Sequence, residues 1–484
     1  MRTSRLGWTL LVVLALSLYA VSGCATNPVT GRSEFSLVSA AQELRIGQES
    51  HAAILQEYGA YDDPPLAAYV DSIGQAMARR SHTPSLTWHF TVLDDPVVNA
   101  FALPGGYVYV TRGIIAHMNS EAQLAGVLGH EIGHVTARHS AQRITQQQVA
   151  GLGLGLATVF VESFRPYSDA AQTGLQLMFL KFGRDDENQA DELGVDYSTK
   201  SGYDAREIPD TYQTLARVGA RSGRSLPSFL STHPDPGDRE IRTRELARAA
   251  TAGQSDLAIR GAEFFAHVDG VVYGNDPRLG YFDGSLFVHP KLGFEMRFPA
   301  GWQSRNSAAA VVAVDANQTA GMQVTLADAK NLSPSDYVRE LERTQRIVGA
   351  EGRSERFGSY TGWIGRLSIP SQGGGAATLA AAFIRIGEQT IQIVGQARDP
   401  RDEDAIFESA RSFRDVRDRA RLEVTPDRIE VARVRESATL EDILRRNGLE
   451  DPQVLEDLAI VNNLQLDQPL ARGQRVKLLK RGSR

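Results

Sequence analysis

Three features are scarce in this chain of 484 residues, and each scarcity excludes a class of protein. The single cysteine, Cys24, excludes a disulfide within the chain. Positive charge is in deficit, because 52 Lys and Arg stand against 58 Asp and Glu, and the net charge of −6 argues against nucleic acid as a partner. The nearly uninterrupted apolar run at residues 6–20 is too short to be a stable transmembrane anchor.

The first residues instead have the organisation of a lipoprotein signal peptide. A basic start precedes the apolar run, and VSGC at residues 21–24 is typical of the site where a cysteine is lipidated and becomes the mature N-terminus. We therefore predict a signal peptide over residues 1–23 and membrane attachment through lipidated Cys24, with an uncleaved signal anchor as the alternative. Ala25 rather than Asp follows the cysteine, which in enterobacterial-type sorting indicates the outer membrane. We expect a cell-envelope protein anchored in the inner leaflet of that membrane and facing the periplasm.

The most informative motif is HEIGH, which begins at His130. On a helix, His130 and His134 lie one turn apart on one face, where both can bind one metal ion. Glu131 is rotated by about 100° from them, where a carboxylate can act as general base on a metal-bound water. Ser120 and Gln123 form a capping-box pattern that places the motif in an amphipathic helix. The sequence therefore predicts a zinc hydrolase, and a surface helix that happens to hold two histidines is the alternative.

A stripe of glycines runs along the same predicted helix. Gly126, Gly129 and Gly133 are spaced by three and four residues, so they line up on one side. A stripe without side chains lets another backbone approach closely. We infer that the approaching element is the one that supplies the third metal ligand.

The third ligand is expected downstream, because residue 140 is Ser where the metzincin pattern needs His. Glu187 lies in an acidic stretch at the start of a predicted helix and could be this ligand. Asp191, one turn further, could accept the N–H of a ligating histidine. Surface acids at a helix start are the alternative. His139 follows His134 by five residues, so we expect it to face elsewhere, as a solvated histidine at the helix end.

At this point the motifs resemble a known family. HExxH followed about fifty residues later by Glu-x-x-x-Asp resembles the gluzincin metalloproteases of the CAAX prenyl protease, HtpX and BepA type. NAFALPGGYVYV at residues 99–110 resembles the strand that precedes the metal helix of that family. THP at 232–234 with Arg239 resembles its HPxxxxR segment, and CATNPVTG at 24–31 resembles the start of its lipoprotein members. The resemblance covers residues 24–250.

The resemblance implies a ligand set and a base. One zinc ion per chain would be bound by His130, His134 and Glu187. Glu131 would be the general base. Asp191 would not bind the metal but would accept a hydrogen bond from a ligating histidine.

The resemblance leaves other positions with open roles. His233 would lie near the metal, as an additional ligand of a latent state or as a catalytic residue that stabilises the transition state; a plain surface-loop residue is the alternative. Arg239 could pair with a carboxylate, bind the substrate carbonyl or be a solvated helix residue. Tyr107, Val108 and Tyr109 form a predicted strand, and an extended substrate could pair with it if it is a sheet edge rather than an ordinary strand.

The chain is expected to be an α+β multidomain protein. We predict a mainly helical zincin-type protease domain with a small sheet at 24–255, a linker at 256–280 and an α+β domain of unassigned role at 281–418. The α+β domain at 281–418 faintly resembles small PsbP-like or Mog-like domains. A small module at 425–481 resembles the βααβ LysM fold. The apolar segment 147–162 is predicted to be a helix packed beside the metal helix rather than a segment that dips into a membrane.

Together these patterns predict a zinc-dependent metalloendopeptidase of the bacterial cell envelope. Its substrates would be misfolded or misassembled, hence largely unfolded, envelope proteins. The LysM-like module has Ser437, Ala438 and Thr439 where Gly-Asp-Thr is usual, so peptidoglycan binding and a structural spacer both stay open. The competing functions are a non-catalytic envelope scaffold and a peptidoglycan-associated binding protein. A murein-directed amidase is disfavoured, because such enzymes do not resemble this motif set.

Overall fold

The computed structural model describes residues 24–149, 181–221, 228–370 and 376–483. The predicted signal peptide at 1–23 lies outside the described residues, and so does most of the helix predicted over 147–162. Among the helices that these ranges contain, none is both long enough and apolar enough to cross a membrane.

The first half of the described chain is mainly helical. Its helices are α1 (Ala40–Tyr58), α2 (Pro64–Ala78), α3 (Arg112–Ala116), α4 (Glu121–Thr136), α5 (His139–Val149), α6 (Arg184–Lys200), α7 (Ile208–Arg221), α8 (Ser228–Thr232), α9 (Pro236–Ala250) and α10 (Gly261–Val268). Helix α2 begins at Pro64 because the Asp63 carboxylate caps it and accepts a hydrogen bond from the backbone N–H of Leu66. Proline fits the first helical position, since the N–H that it lacks would have no partner within the helix.

A small sheet lies beside α4. An N-terminal hairpin pairs β1 (Cys24–Thr26) with β2 (Ser33–Phe35), and the separate small sheet contains β3 (His89–Leu93), β4 (Ala100–Leu103) and β5 (Tyr107–Thr111). Strand β5 is parallel to β3 and antiparallel to β4, so it is the central strand. The interpretation of Tyr107, Val108 and Tyr109 as a sheet edge is therefore wrong. The reason is the turn before β5, where Gly105 and Gly106 adopt φ angles of 85° and 92° and fold β4 back onto β5.

Helix α4, which carries the HEIGH motif, packs closely on α6. A Cβ atom added to Gly129 would lie 3.0 Å from the backbone oxygen of Gly194, and one added to Gly133 would lie 3.3 Å from the backbone of Ala190. These two glycines therefore allow the backbones of α4 and α6 to approach, and α6 is the element that carries Glu187. Gly126 faces α7 instead.

Residues 281–418 form an α+β unit. Its elements are β6 (Tyr281–Asp283), β7 (Leu286–His289), β8 (Phe294–Arg297), β9 (Gln303–Asn306), β10 (Val311–Val314), β11 (Ala320–Ala327), α11 (Pro334–Arg343), β12 (Gly349–Phe357), β13 (Tyr360–Pro370), β14 (Ala376–Ile386), β15 (Gln389–Ala397), α12 (Pro400–Arg411) and β16 (Arg414–Asp415). A seven-stranded sheet has the order β12-β13-β14-β15-β11-β10-β9, and a four-stranded sheet has the order β16-β8-β7-β6. Helices α11 and α12 cover opposite faces of the larger sheet, because neighbouring residues of β14 point to opposite sides: Phe383 packs with α11 and Ala382 with α12.

The C-terminal module has the order ββααββ, so two short strands are added within the predicted βααβ order. Its elements are β17 (Arg428–Arg433), β18 (Ala438–Thr439), α13 (Leu440–Arg446), α14 (Pro452–Val461), β19 (Pro469–Leu470) and β20 (Arg475–Lys480). The outer strands β17 and β20 pair antiparallel, and a core of leucine and valine side chains from both helices and β20 fills the module.

This module packs directly on the helical first half. Ile429 of β17 and Val461 of α14 belong to the same hydrophobic core as Leu128 of α4. Residues 256–280, where a linker was predicted, contain α10 and contribute the fully buried Phe264 to that core. The segment therefore differs from the predicted linker, because its apolar side chains are part of a packed body rather than exposed to solvent.

Candidate metal centre

Side chains from three parts of the chain converge in a buried cluster beside α4. His130 and His134 come from α4 and Glu187 from α6. His233 comes from the segment that follows α8. All four are buried, and their donor atoms lie within 4.8 Å of one another.

The distances within this cluster fit one metal ion. His130 Nε2 is 3.0 Å from His134 Nε2, which is 3.5 Å from Glu187 Oε1. Ligands of one tetrahedral zinc ion lie about 3.3 Å apart, since zinc–nitrogen bonds measure about 2.0–2.1 Å. Imidazole and carboxylate are ligand types that zinc accepts, so the donor set suits zinc. His233 is the fourth donor, with Nδ1 3.3 Å from His130 Nε2.

The two oxygens of Glu187 have different partners. Oε2 lies 2.6 Å from Nη1 of Arg239, whereas Oε1 lies 2.9 Å from Nδ1 of His233, among the other donors. Burial alone would raise the pKa of Glu187, but the charges of His233 and Arg239 lower it to about 2. The carboxylate is therefore ionised at neutral pH and presents one oxygen to the cluster.

Asp191 and Arg239 form a buried ion pair behind His130. Arg239 donates from Nε to Asp191 Oδ2 at 2.9 Å and from Nη2 to Oδ1 at 2.6 Å. Asp191 Oδ1 is also 3.1 Å from His130 Nδ1 and accepts a hydrogen bond from the Tyr212 hydroxyl at 2.6 Å. Although burial opposes it, Arg239 holds the pKa of Asp191 below its usual range. Arg239 is thus paired with carboxylates, and its interpretation as a solvated helix residue is wrong because its side chain is buried.

Glu131 lies beside the cluster without joining it. Its side chain is buried, and its Oε1 has no hydrogen-bond partner among the residues that the structure describes. This oxygen is 3.8 Å from Nε2 of His233. Burial raises the pKa of Glu131 to about 7, which lies in the range where a carboxylate can both accept and return a proton.

His233 lies inside the site, so a plain surface-loop position is excluded. Its ring stacks on Phe229 with the ring centres 4.6 Å apart, and its backbone N–H donates to the Phe229 oxygen. Burial would lower the pKa of His233, but Glu187 and Glu131 together raise it. The ring therefore lies between the carboxylate of the donor set and the carboxylate of Glu131.

The expectation that His139 is solvated and faces away is wrong. His139 is buried, and its Nδ1 is 2.9 Å from Nδ1 of His134. The error comes from assuming one continuous helix. Arg138 has a φ of 60°, which ends the hydrogen-bonded course of α4 and turns the chain so that His139 packs under His134.

Two contacts of the site had no signal in the sequence analysis. Tyr212 of α7 bonds to Asp191, but a lone tyrosine on an amphipathic helix carries no motif. Gln189 of α6 lies between Glu187 and Asp191 in sequence, and its Oε1 is 2.9 Å from Nε2 of His139. Only its position in the acidic stretch could have indicated that Gln189 lies near the site.

The strand residues singled out earlier have contacts of their own. The Tyr109 hydroxyl is 2.9 Å from His51 Nδ1, and its ring stacks on Phe101. The Tyr107 ring stacks on His89, with the ring centres 4.4 Å apart. Val108 is buried in the core that α4 shares. These side chains stabilise the sheet beneath the site.

The fold and the site together fit a zinc metallopeptidase, with an HExxH helix and a glutamate from α6. Residues 64–247 match the sequence model of peptidase family M48. This part of the chain is therefore similar to that family, and the similarity supports a metalloendopeptidase.

Known relatives match part of the chain. A mitochondrial metalloendopeptidase OMA1 of Arabidopsis thaliana is 37% identical over 177 residues, which is 36% of this chain and 34% of the relative. The beta-barrel assembly-enhancing protease of Escherichia coli is 29% identical over 230 residues, 46% of this chain and 47% of the relative. The chain thus spans about half or less of the length of these relatives. A solved cyanobacterial PsbP from Synechocystis aligns with 28% of this chain and 95% of its own, at 17% identity and a TM-score of 0.23, which supports no conclusion about the fold.

Proposed function

We propose that the whole protein is a zinc-dependent endopeptidase of the bacterial cell envelope that cleaves misfolded or misassembled envelope proteins. One observation carries the catalytic part: the donor atoms of His130, His134 and Glu187 converge in a buried cluster, with the unpaired Oε1 of Glu131 beside it. A scaffold that needed no catalysis would have no use for a buried carboxylate oxygen without a hydrogen bond, because such an atom costs about 1–3 kcal/mol of stability.

The residues divide the chemistry between them. When bound, zinc supplies a Lewis acid that polarises the substrate carbonyl and lowers the pKa of a water molecule. Glu131 takes a proton from the attacking water on its free Oε1 and returns it to the leaving amine, a role that its pKa of about 7 suits. Arg239 fixes Glu187 through Oε2 and Asp191 through both oxygens, which keeps the two carboxylates ionised and in place.

The position of His233 supports a latent resting state. Its Nδ1 lies 2.9 Å from Glu187 Oε1 and 3.3 Å from His130 Nε2, so it occupies the place of a fourth ligand. Three protein ligands leave a fourth position for water or substrate, and a histidine in that position competes with both. We expect His233→Ala to raise the rate of casein cleavage. A lower rate would instead assign His233 to transition-state stabilisation, and an unchanged rate would contradict both roles.

An extended substrate would pair with β4 rather than β5. Strand β5 has neighbours on both sides, whereas β4 (Ala100–Leu103) is the edge of the small sheet and packs beside α4. An edge strand offers backbone N–H and C=O groups to any extended peptide. Because these groups are the same in every peptide, cleavage would have low sequence specificity. Unfolded protein segments are the substrates that meet this condition.

The envelope location rests on the start of the chain and on one relative. The lipoprotein signal pattern supports attachment through lipidated Cys24 on the periplasmic side of the outer membrane. The name of the Escherichia coli relative refers to the assembly of beta-barrels, which supports a role in protein quality control in that compartment. The C-terminal module packs on the protease domain, which favours a structural part over peptidoglycan binding; glycan binding by its LysM-like sequence is the second candidate.

The test is Glu131→Gln, measured against Glu192→Gln. Glu192 is an exposed carboxylate on α6 that pairs with Arg242 at the surface, so its amide variant controls for the change itself. We expect Glu131→Gln to keep one zinc ion per chain and to lose at least about 100-fold in casein cleavage, the usual contribution of a general base. Cleavage that stays within the range of the control would remove Glu131 from this role. Zinc content is measured by elemental analysis of the dialysed proteins.

A further inference from the structure

His139 and Gln189 extend the metal centre in a direction that the catalytic mechanism does not use. His139 Nδ1 lies 2.9 Å from Nδ1 of His134, and His139 Nε2 lies 2.9 Å from the side-chain oxygen of Gln189. Both histidines are buried. The three side chains thus form one hydrogen-bonded line that starts at the half-buried amide of Gln189 and ends at the donor set.

The orientation of the Gln189 amide sets the direction of each hydrogen bond in this line. Its oxygen faces His139, and an amide oxygen only accepts, so Nε2 of His139 carries a proton and donates it to Gln189. A neutral imidazole then has a bare Nδ1, which can only accept. Nδ1 of His134 must therefore donate to it, and Nε2 of His134 is left without a proton. That nitrogen is the one that faces His130 and Glu187.

We propose that His139 and Gln189 are positioning residues that hold His134 in the tautomer able to bind zinc. The proposal rests on the zinc site proposed above, and it assigns a task to two side chains outside the HExxH motif. The opposite proton arrangement, with a donor at Gln189, would put a proton on Nε2 of His134 and abolish that ligand. His130 is held in the equivalent tautomer by a carboxylate, since its Nδ1 lies 3.1 Å from Asp191.

The chain builds this arrangement at a cost in backbone conformation. Arg138 adopts a left-handed φ of 60°, a conformation that residues other than glycine disfavour. The turn is held from outside: Arg138 donates from Nη2 to the backbone oxygen of Val38 at 2.9 Å and from Nε to Glu43 at 3.0 Å. Asn27 donates to the backbone oxygen of Ala137 at 3.1 Å. Contacts from the N-terminal segment therefore stabilise the turn that puts His139 under His134.

Two substitutions at Gln189 separate positioning from packing. Gln189→Glu keeps an oxygen that accepts, whereas Gln189→Met has a similar size and no acceptor. Since Gln189 is only half-buried, both variants should fold. Zinc affinity is measured by competition with a chromophoric chelator, and His139→Phe and His117→Phe are compared in the same way. His117 is a histidine outside this site, bonded to the backbone of Gly113.

Loss of an outer partner usually weakens metal binding by about 10- to 100-fold. We expect such a loss for Gln189→Met and His139→Phe, and affinities near that of the wild type for Gln189→Glu and His117→Phe. Nitrogen-15 NMR of zinc-loaded, histidine-labelled protein should show protons on Nδ1 of His134 and Nε2 of His139, and Gln189→Met should shift the Nε2 signal of His139, because that proton loses its acceptor. A packing role for Gln189 predicts the reverse order, with the buried charge of Gln189→Glu the more harmful change.

The outcomes distinguish failure of this proposal from failure of the proposed function. Wild-type protein that binds zinc and cleaves casein, together with Gln189→Met and His139→Phe variants of unchanged zinc affinity, would overturn the positioning role and leave the enzyme intact. A proton on Nε2 of His134 in the zinc-loaded protein would likewise overturn the proposal. Wild-type protein that binds no zinc would overturn both.

Discussion

A buried lysine holds the C-terminal module on the protease domain, and removing its amine should loosen the junction. Lys477 lies on β20 with a fully buried side chain, and its Nζ donates to the backbone oxygens of Ala116 at 2.8 Å and Met118 at 2.7 Å. Both oxygens belong to the segment directly before Ser120, whose side chain caps the metal helix α4. The perturbation is Lys477→Met, which keeps the length of the side chain and removes its donor.

The magnitude follows from the two oxygens that lose their partner. A buried polar group without a hydrogen bond costs about 1–3 kcal/mol, so two such groups cost about 2–6 kcal/mol. Burying an amine has a cost of its own, and its removal offsets part of this loss. We expect Lys477→Met to lower the free energy of unfolding by about 2 kcal/mol, near the lower end of that range.

The effect should depend on pH with a definite sign. Burial lowers the pKa of Lys477 in the folded protein well below its usual range. Between that pKa and the unfolded value of about 10.4, the unfolded chain binds more protons, so the stability of the wild type rises with pH across this window. Lys477→Met lacks this titration, and the difference between the two proteins should therefore widen as the pH is raised toward about 10.

The assay is urea unfolding followed by far-ultraviolet circular dichroism at several pH values. Lys480→Met is the matched control, because Lys480 lies on the same strand with an exposed side chain. The reasoning is refuted if Lys477→Met and Lys480→Met have the same unfolding midpoint at every pH, since the two hydrogen bonds would then contribute nothing to holding the module.

Two further perturbations act on the metal centre. Gly129→Ala would place a Cβ atom 3.0 Å from the backbone oxygen of Gly194 and force α4 and α6 apart, so we expect a loss of about 1–3 kcal/mol in stability and weaker zinc binding. Gly237→Ala, whose added Cβ meets nothing within 4 Å, is the control, and equal zinc affinities would contradict the expectation. Removing zinc with a chelator would leave the four buried donors without a cation, so the midpoint of thermal unfolding should fall, and equimolar zinc should restore it. A midpoint of unfolding that does not change with zinc would contradict the proposed metal site.

The metal motif could be predicted from the sequence because its information is local. The spacing of His130 and His134 fixes one helix face, and the glycine stripe on the same helix indicated a close partner. The assignment of Glu187 as the third ligand needed further information, since the local sequence does not indicate which downstream acidic residue lies close to the motif. The acidic helix start made it a candidate, and the resemblance to a family made it the choice.

Strand order could not be predicted in the same way. Pairing partners are distant in sequence, so the pattern of Tyr107–Thr111 identifies a strand but not its neighbours. The error about the sheet edge thus concerns information that only the folded chain contains.

His139 illustrates a third limit, which is conformational. An arginine with positive φ has no sequence signature of the kind that Gly or Pro provides, so the turn that Arg138 makes after the end of α4 could not be predicted. The extrapolated helix put His139 on the wrong side. A one-residue change in backbone conformation thus decides whether a histidine is solvated or supports a metal ligand.

The partners behind the two ligating histidines also set the charge of the site. Asp191 supports His130 but is neutralised by Arg239, and His139 supports His134 as a neutral ring. Arg239 contacts both Asp191 and Glu187 with a single positive charge, so these three side chains together carry one net negative charge and a divalent cation would retain a net positive charge there. A second carboxylate in place of His139 would cancel that charge and weaken the polarisation of substrate and water. The choice of an imidazole behind His134 is therefore consistent with a hydrolytic centre, whereas a purely structural zinc site would gain from full neutralisation.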